Sequence, residues 1–422
     1  NGAFTLLDGD MDLSGNYLYN GTDKYVEEET AKITYMDDGS RLLNNETGTN
    51  STFSQGHRFG VRLEHEFSDN TSILFEPQFN FGSGRYTEGS VFSTGSLAEG
   101  AVDTLKVNDG YNNNTGFNNN WSTSGFLLFR QKLGKAGRTI SANIRYSFSN
   151  NDLNGFNSSI TNVYSGADDA EPIVNQRFDQ NSKSTSLTGR VVYTEPLAKN
   201  LFLEANYSYS WNRNNSVKNT FDSASDNVVD GLLQYVSNGE TLNDIYSNNI
   251  LNISHNHRAG MNLSYQLKKF RAQLGASVNP TNTYNKTNEK EYNNQVVNWS
   301  PQAMLFYTPN ETVNLRMFYF GRSSQPSTSQ LMPVPDNSDP LNISLGNPYL
   351  EPYFNHNIRG RFGYTNKKTF TSVNFNLNAS MVENAITSAQ WYDTDGRQYS
   401  IPVNGPTTSS LSGRLFINSP FG

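Results

Sequence analysis

Few side chains in this sequence are placed to do chemistry. The 422-residue chain holds five His and no Cys, which removes disulfides, thiolate nucleophiles and Cys-based zinc sites together. His255-Asn256-His257 brings two imidazoles to alternate positions, which share a strand face. The pair could supply two corners of a metal site. No third ligand stands near it, and the pair reads as solvated residues beside a loop. Asp8, Asp10 and Asp12 fall on one strand face with the spacing that opens a calcium loop, but Tyr19 stands where the closing bidentate Glu belongs. Asp393-Thr394-Asp395-Gly396 has the composition of a turn. No Ser/His/acid constellation is singled out. The expectation is therefore no catalytic residue, no metal and no cofactor.

A second set of charges is more orderly. Arg62, Arg145, Arg271, Arg316, Arg322, Arg359 and Arg361, with Glu64, Glu76 and Glu204, sit between apolar residues at alternate positions. Such side chains would line a wet interior, touch a body inside it or hold a charged ligand. Arg62, Arg145, Arg316, Arg322, Arg359 and Arg361 are the ligand-binding candidates. A hydrated, charge-balanced lining is the competing reading.

The elements that position these charges are amphipathic strands. From Gly189 to Trp211, Leu201, Leu203, Ala205, Tyr207, Tyr209 and Trp211 alternate with Phe202, Glu204, Asn206, Ser208 and Ser210. Successive strand residues point to opposite faces, so one face is apolar and the other largely polar. Alternation of this length exceeds the usual strand of about five or six residues. It matches the roughly 9–11 residues with which a tilted strand crosses a bilayer. Gly189, Val191 and Tyr193 repeat the pattern, and Glu195–Asn200 joins the two strands.

Composition agrees. Only 35% of residues are hydrophobic, yet 13% are aromatic, and Asn makes up about one residue in seven. That suits a wall with one lipid face and no large core. No run approaches the roughly 18 apolar residues of a spanning helix. The net charge of -7 argues against nucleic acid as a partner. The chain opens at Asn1-Gly2-Ala3-Phe4 without a signal peptide, which implies a processed or truncated start.

The same unit recurs along the chain. Its strands lie near 11–19, 58–67, 73–81, 121–133, 138–150, 189–194, 201–211, 258–267, 270–279, 296–307, 313–322, 355–364, 369–381 and 397–417. Short turns alternate with long polar segments at 20–54, 82–120, 151–184, 212–255 and 323–352. A bulge is expected at Pro77, which cannot donate to a ladder, and a short helix near 230–236. The fold class read from this layout is all-β: a transmembrane antiparallel up-and-down barrel, with about fourteen strands in this chain. A propeller or secreted adhesin would show shorter strands and a per-blade repeat. Tyr17, Tyr19, Phe81, Trp121, Tyr146, Phe148, Tyr209, Trp211 and Tyr319 would form the outer aromatic girdle. Phe67, Tyr193, Tyr307 and Tyr364 would form the inner one.

Gly346-Asn347-Pro348-Tyr349-Leu350-Glu351-Pro352 resembles the GNPxLxPE segment that enters a strand in TonB-dependent receptors and their outer-membrane β-barrel relatives. Tyr353 replaces the usual final Glu, and Glu351 replaces an often basic residue. Phe129–Ser149 and Tyr193–Ser210 are similar to further hairpins of that family, most closely its Bacteroidetes-type branch. Gly346, Asn347, Pro348, Leu350 and Pro352 read as a structural motif: the glycine and prolines fix a turn and an extended entry.

The resemblance implies a barrel of about 22 strands around a plug. It also implies an outer-membrane location in a Gram-negative bacterium, lipid contact, a TonB-type energy-coupling partner and a surface lipoprotein partner. Residues 1–422 then form a single barrel domain, truncated at both ends, with the plug outside it. Three function classes stay open: an energised receptor for an unidentified ligand; a passive porin-like channel or non-transport barrel acting through its loops; and an outer-membrane enzyme, the least supported, so that no enzyme activity is expected.

Overall fold

Period-two alternation produces an antiparallel main sheet in which each long strand pairs with the next long strand along the chain. The computed structural model describes residues 2–36, 39–164, 173–287, 290–331, 342–393 and 397–420. The chain opens with β1 (Gly2–Leu6), β2 (Met11–Tyr35), β3 (Arg41–Ser68), β4 (Thr71–Leu97), β5 (Leu105–Lys132), β6 (Thr139–Val163), β7 (Ile173–Ala198) and β8 (Leu201–Asp222). Three short strands follow: β9 (Asn227–Val229), β10 (Leu232–Gln234) and β11 (Thr241–Leu242). The run resumes with β12 (Asn248–Leu267), β13 (Phe270–Thr287), β14 (Lys290–Tyr307) and β15 (Val313–Ser324), then the single helical turn α1 (Thr328–Leu331) and β16 (Asn342–Ser344). It finishes with β17 (Tyr353–Asn366), β18 (Thr371–Glu383), β19 (Ile386–Tyr392), β20 (Gln398–Asn404) and β21 (Thr408–Asn418).

Together the main sheet has 16 strands, ordered β1 to β8, β12 to β15, β17, β18 and β21, with β11 attached to β8. Among the described residues β1 and β21 each pair on one side only. No described helix is long and apolar enough to cross a membrane, which says nothing of crossing by strands.

Thirteen of the fourteen expected strands are present as staves, the fourteenth supplies a stave only in its second half, and β1 adds a fifteenth stave that its five residues were too short to announce. The parity is as expected. Leu203, Leu263 and Leu274 stand in register on one face, on β8, β12 and β13. They point outward, Leu263 being 43% and Leu274 66% exposed. Trp299 and Val297 on β14 are 61% and 70% exposed. Only eight apolar side chains of the described residues are buried. An apolar outer face of this extent has no place in water.

The polar segments hold the main correction. Residues 20–54 and 82–120, expected as loops, are mostly strand: β2 to β5 run for 25 to 28 residues each. At about 3.3 Å per residue, each is more than twice what a bilayer needs. Their outer halves carry polar side chains on both faces, and polar side chains bridge neighbouring strands, as in Asn44 to Thr94 and Gln55 to Ser83. The alternating long and short ends are thus real, but the length is carried by paired backbone.

Other details differ from the sequence reading. Residues 230–236 form part of the β9–β10 hairpin, not a helix. Pro77 leaves residues 61–62 of β3 without ladder partners on β4 but shifts no register; the shifts fall at Glu66/Ser68, Thr94/Gly95 and Pro196/Ala198. Residues 397–417 split into β20, which pairs with β19 and β16, and the stave β21. The β7–β8 turn narrows to Lys199-Asn200, with Asn200 at φ 69°, a left-handed conformation Asn tolerates.

Candidate functional site: an arginine-bearing concave wall

The inner face of β8, β12, β13, β14 and β15 forms a cavity of about 870 Å³. Its described lining is mostly Ser, Thr, Asn and Gln with Arg258 and Arg322, joined by Phe320, Gly321, Pro301, Pro326 and an edge of the otherwise outward His257, and includes no Asp or Glu. The alternation that sends Leu263 and Trp299 outward sends these residues inward. The loop after β15 supplies Gln325, whose buried Nε2 has no hydrogen-bond partner among the described residues.

Arg258 is held from below. Its Nε donates to Ser277 Oγ at 3.0 Å, and Asn279 Nδ2 donates to Ser300 Oγ at 2.8 Å. Arg190 on β7 and Arg258 on β12 flank Ser208, which pairs with both. Arg258 is solvent-exposed within the hollow, and the charges that act on it are Arg190 and Arg322, both cations. Arg190 and Arg258 escaped the sequence reading. The signal for them is their inward parity, which became specific only once the sheet order placed β7, β12 and β15 around one hollow.

The candidates picked from sequence have diverse surroundings. Arg322 lines the cavity. Arg62 is neutralised by Glu64 and Glu76, and Arg130 also reaches Glu64. Arg145 lies over the Phe126 ring at 4.8 Å and Arg359 over Phe320 at 5.6 Å. Arg316 and Arg361 face each other across β15 and β17. Arg271 and Glu204 line a smaller hollow of about 270 Å³. The structure therefore unites Arg322 with two unpredicted arginines and disperses the rest.

His255 and His257 do not lie beside a loop. They sit within β12 on the outer face, where Tyr209 and Tyr207 hydrogen-bond to their Nδ1 atoms, each at 2.8 Å. Tyr17 with His57 and Tyr319 with His356 repeat the pairing across β2–β3 and β15–β17. These pairs belong to the outer girdle, with Phe81 and Trp121 in register beyond His57. Asp10 lies in the turn before β2 and Asp12 within β2, so the acidic triplet is no common strand face. Asp12 accepts a hydrogen bond from Thr5 Oγ1. No described group of three or more His, Asp or Glu could hold a metal ion. Residues 394–396 of the expected acidic turn lie outside the described residues.

The motif at 346–352 is a latch. Asn347 Nδ2 donates to the Pro402 carbonyl, and the Glu351 amide donates to Asn404 Oδ1 at 2.8 Å. Asn404 Nδ2 returns a bond to the Glu351 carbonyl, and Leu350 is buried. The bonds tie the entry of β17 to β20. On the opposite side, Lys32 Nζ of β2 donates to Tyr392 Oη and Gln398 Oε1, each at 2.9 Å. The small β16–β20–β19 sheet thus reaches the inner face of the tall strands, over a hollow of about 120 Å³.

Another strap closes the outer side of the rim. Leu233 of β10 is buried, and its amide donates to Tyr111 Oη. Arg177 pairs with Glu240 at 2.7 Å and with Asp179. Burial, then a hydrogen bond to Glu240, pushes the Tyr235 phenol up to about 12. At the short turns, Arg138 grips Glu195 with Nε and Nη2, both at 2.8 Å. Arg138, then Tyr193, holds the Glu195 carboxyl down at about 2.

Comparison with known proteins places this architecture. The ferripyoverdine receptor of the outer membrane of Pseudomonas aeruginosa superposes with a TM-score of 0.53 at 11% identity, over 97% of this chain and 54% of that one. The FpvAI–pyocin S2 complex gives 0.53 at 12% identity, over 96% and 54%. The copper transporter OprC gives 0.51 at 9% identity, over 97% and 59%. The chain thus spans less than two thirds of these structures, and the likeness is one of fold. No curated protein sequence matches it. Residues 131–422 match the family model described as the outer membrane protein beta-barrel family. An apolar girdled exterior, a polar inner wall and a match over more than half its length lead to one conclusion: the chain belongs to the outer membrane protein beta-barrel family and is a transmembrane β-barrel protein of the outer membrane.

Proposed function

We propose that this chain is the barrel of an outer-membrane receptor that takes up a ligand through its lumen. The plug lies outside the chain, and a TonB-type protein supplies the energy. The observation that carries this reading is the inner wall: a hydrophilic hollow with uncompensated arginines, opening toward a tall rim. A wall that only sealed a pore would gain nothing from clustering like charges, which repel. The fold shared with a ferripyoverdine receptor and a copper transporter supports a receptor or transport barrel. The rim built by β2 to β8 would face a surface lipoprotein partner.

The test is uptake by cells expressing the full-length gene, with and without the TonB-type protein. The receptor reading predicts uptake that stops when the coupling protein or the proton gradient is removed. Uptake indifferent to both, with swelling of liposomes that hold the purified protein, would indicate a passive channel instead.

A further inference from the structure

We infer that the hollow between β8 and β15 is a binding site for a small, oxygen-rich anion: a hydroxylated molecule carrying carboxylate, phosphate or sulfate. The inference rests on the receptor reading for its biological purpose, but the site is argued from its own chemistry. Arg258 and Arg322 line the hollow, and Arg190 lies one strand beyond Ser208. No described ion pair includes any of the three, whereas Arg62, Arg130, Arg138 and Arg177 all have carboxylate partners. At about 4.8 Å per strand, Arg190 and Arg258 stand about 10 Å apart in the wall. All three arginines are solvent-exposed, and like charges gathered on one wall repel one another unless an anion joins them.

The rest of the lining fits the same ligand. Ser208, Ser210, Asn252, Asn256, Thr281 and Asn298 offer amide and hydroxyl groups that can both donate and accept. Gln325 Nε2 is a buried donor without an acceptor among the described residues. Ser277 fixes the Arg258 fork, leaving its two terminal nitrogens to meet an oxyanion side by side. At about 870 Å³ the hollow is of the size that holds a molecule of several rings. An apolar ligand would find only Phe320, Pro301 and Pro326 as apolar side chains among the described lining residues.

The experiment is calorimetric titration of the full-length protein in detergent, with trigalacturonate as the anionic probe and galactotriose as its neutral counterpart. Inorganic phosphate serves as a bare-anion competitor. Saturable binding of trigalacturonate, no saturable binding of galactotriose, and weakening by added phosphate or by salt are expected. Arg258→Gln and Arg322→Gln should each weaken binding at least about tenfold, the scale of one charge-assisted contact. Lys367→Gln, which removes the same charge from a distant turn, should leave binding unchanged. Ser277→Ala with Arg258 intact should weaken it less, and heat-resistant migration on gels confirms that each variant is folded. Equal binding of the neutral trisaccharide, or binding that survives the Arg258→Gln/Arg322→Gln pair, overturns the inference. So does an absence of anion binding by the folded protein. Coupled uptake of an unrelated ligand alongside any of these results would leave the receptor reading intact, and anion binding without uptake would do the reverse.

Discussion

The parity of the wall makes a sharp demand on two adjacent residues of β13. Leu274 points outward with 66% of its surface uncovered, in register with Leu263 and Ala303. Gln273 precedes it and lines an inner hollow. Leu274 lies about four residues from the turn at 268–269, near the middle of a 9–11-residue crossing. Arginine there must sit in hydrocarbon, at a cost of about 2–4 kcal/mol. That is roughly a thirtyfold to thousandfold loss of folded population. Alanine removes only the contact of the leucine with lipid: two thirds of about 1.5–3 kcal/mol, or about 1–2 kcal/mol. Arginine at 273 enters a wet interior and should cost less than about 1 kcal/mol. Urea titration of Leu274→Arg, Leu274→Ala and Gln273→Arg in phosphatidylcholine vesicles, read by heat-resistant migration, gives all three values. Gln273→Arg proving as damaging as Leu274→Arg would refute the assignment of faces.

Four further outcomes follow from the geometry. Tyr209→Phe removes the bond to His255 and should cost about 0.5–1.5 kcal/mol, with a double-mutant cycle against His255→Phe recovering most of it as coupling. Because the folded Glu195 carboxyl is depressed to about 2, its stabilisation is full above the usual carboxylate range and fades as pH falls toward 2; Glu195→Gln should flatten the stability profile between pH 4.5 and 2. Lys32→Met breaks the tie between β2 and the β19–β20 hairpin, so amide exchange in β19 and β20 should accelerate while the staves keep their protection. Gly125→Val places side-chain atoms where the Tyr146 ring lies over the backbone, and overpacking should cost about 1–3 kcal/mol.

Legibility of the fold followed solvent contrast. From Leu201 to Trp211 one face meets lipid and the other water, so residue type alternates and the stave can be read directly. In Asn112-Asn113-Asn114 or Asn118-Asn119-Asn120 both faces meet water, and the alternation is lost although the β5 ladder continues through them. Their strand structure comes from backbone pairing with β4 and β6, contacts that no local pattern encodes. The β9–β10 hairpin was misread because Asp230-Gly231 sits in a short apolar run equally compatible with a helical turn. At the site, inward arginines were legible one at a time. Their convergence was not: Arg190, Arg258 and Arg322 lie far apart in sequence, and only strand order and curvature bring them to one hollow. The outward histidines were misplaced for a related reason: β8 and β12 pair for many residues past the point where an ordinary strand would end.

The account rests on strands whose lower parts cross lipid and whose upper parts stand in water. A single-cysteine nitroxide scan from Leu201 to Asp222, in a chain with no native Cys, tests this most directly. Reconstituted in lipid, residues 201, 203, 205, 207 and 209 should be open to oxygen, and the even positions to a water-soluble nickel chelate. Beyond Trp211 both faces should meet the chelate while the labels keep the restricted motion of a paired strand. Oxygen access without a two-residue period, or a lipid signal continuing past Trp211 to Asp222, would contradict the account.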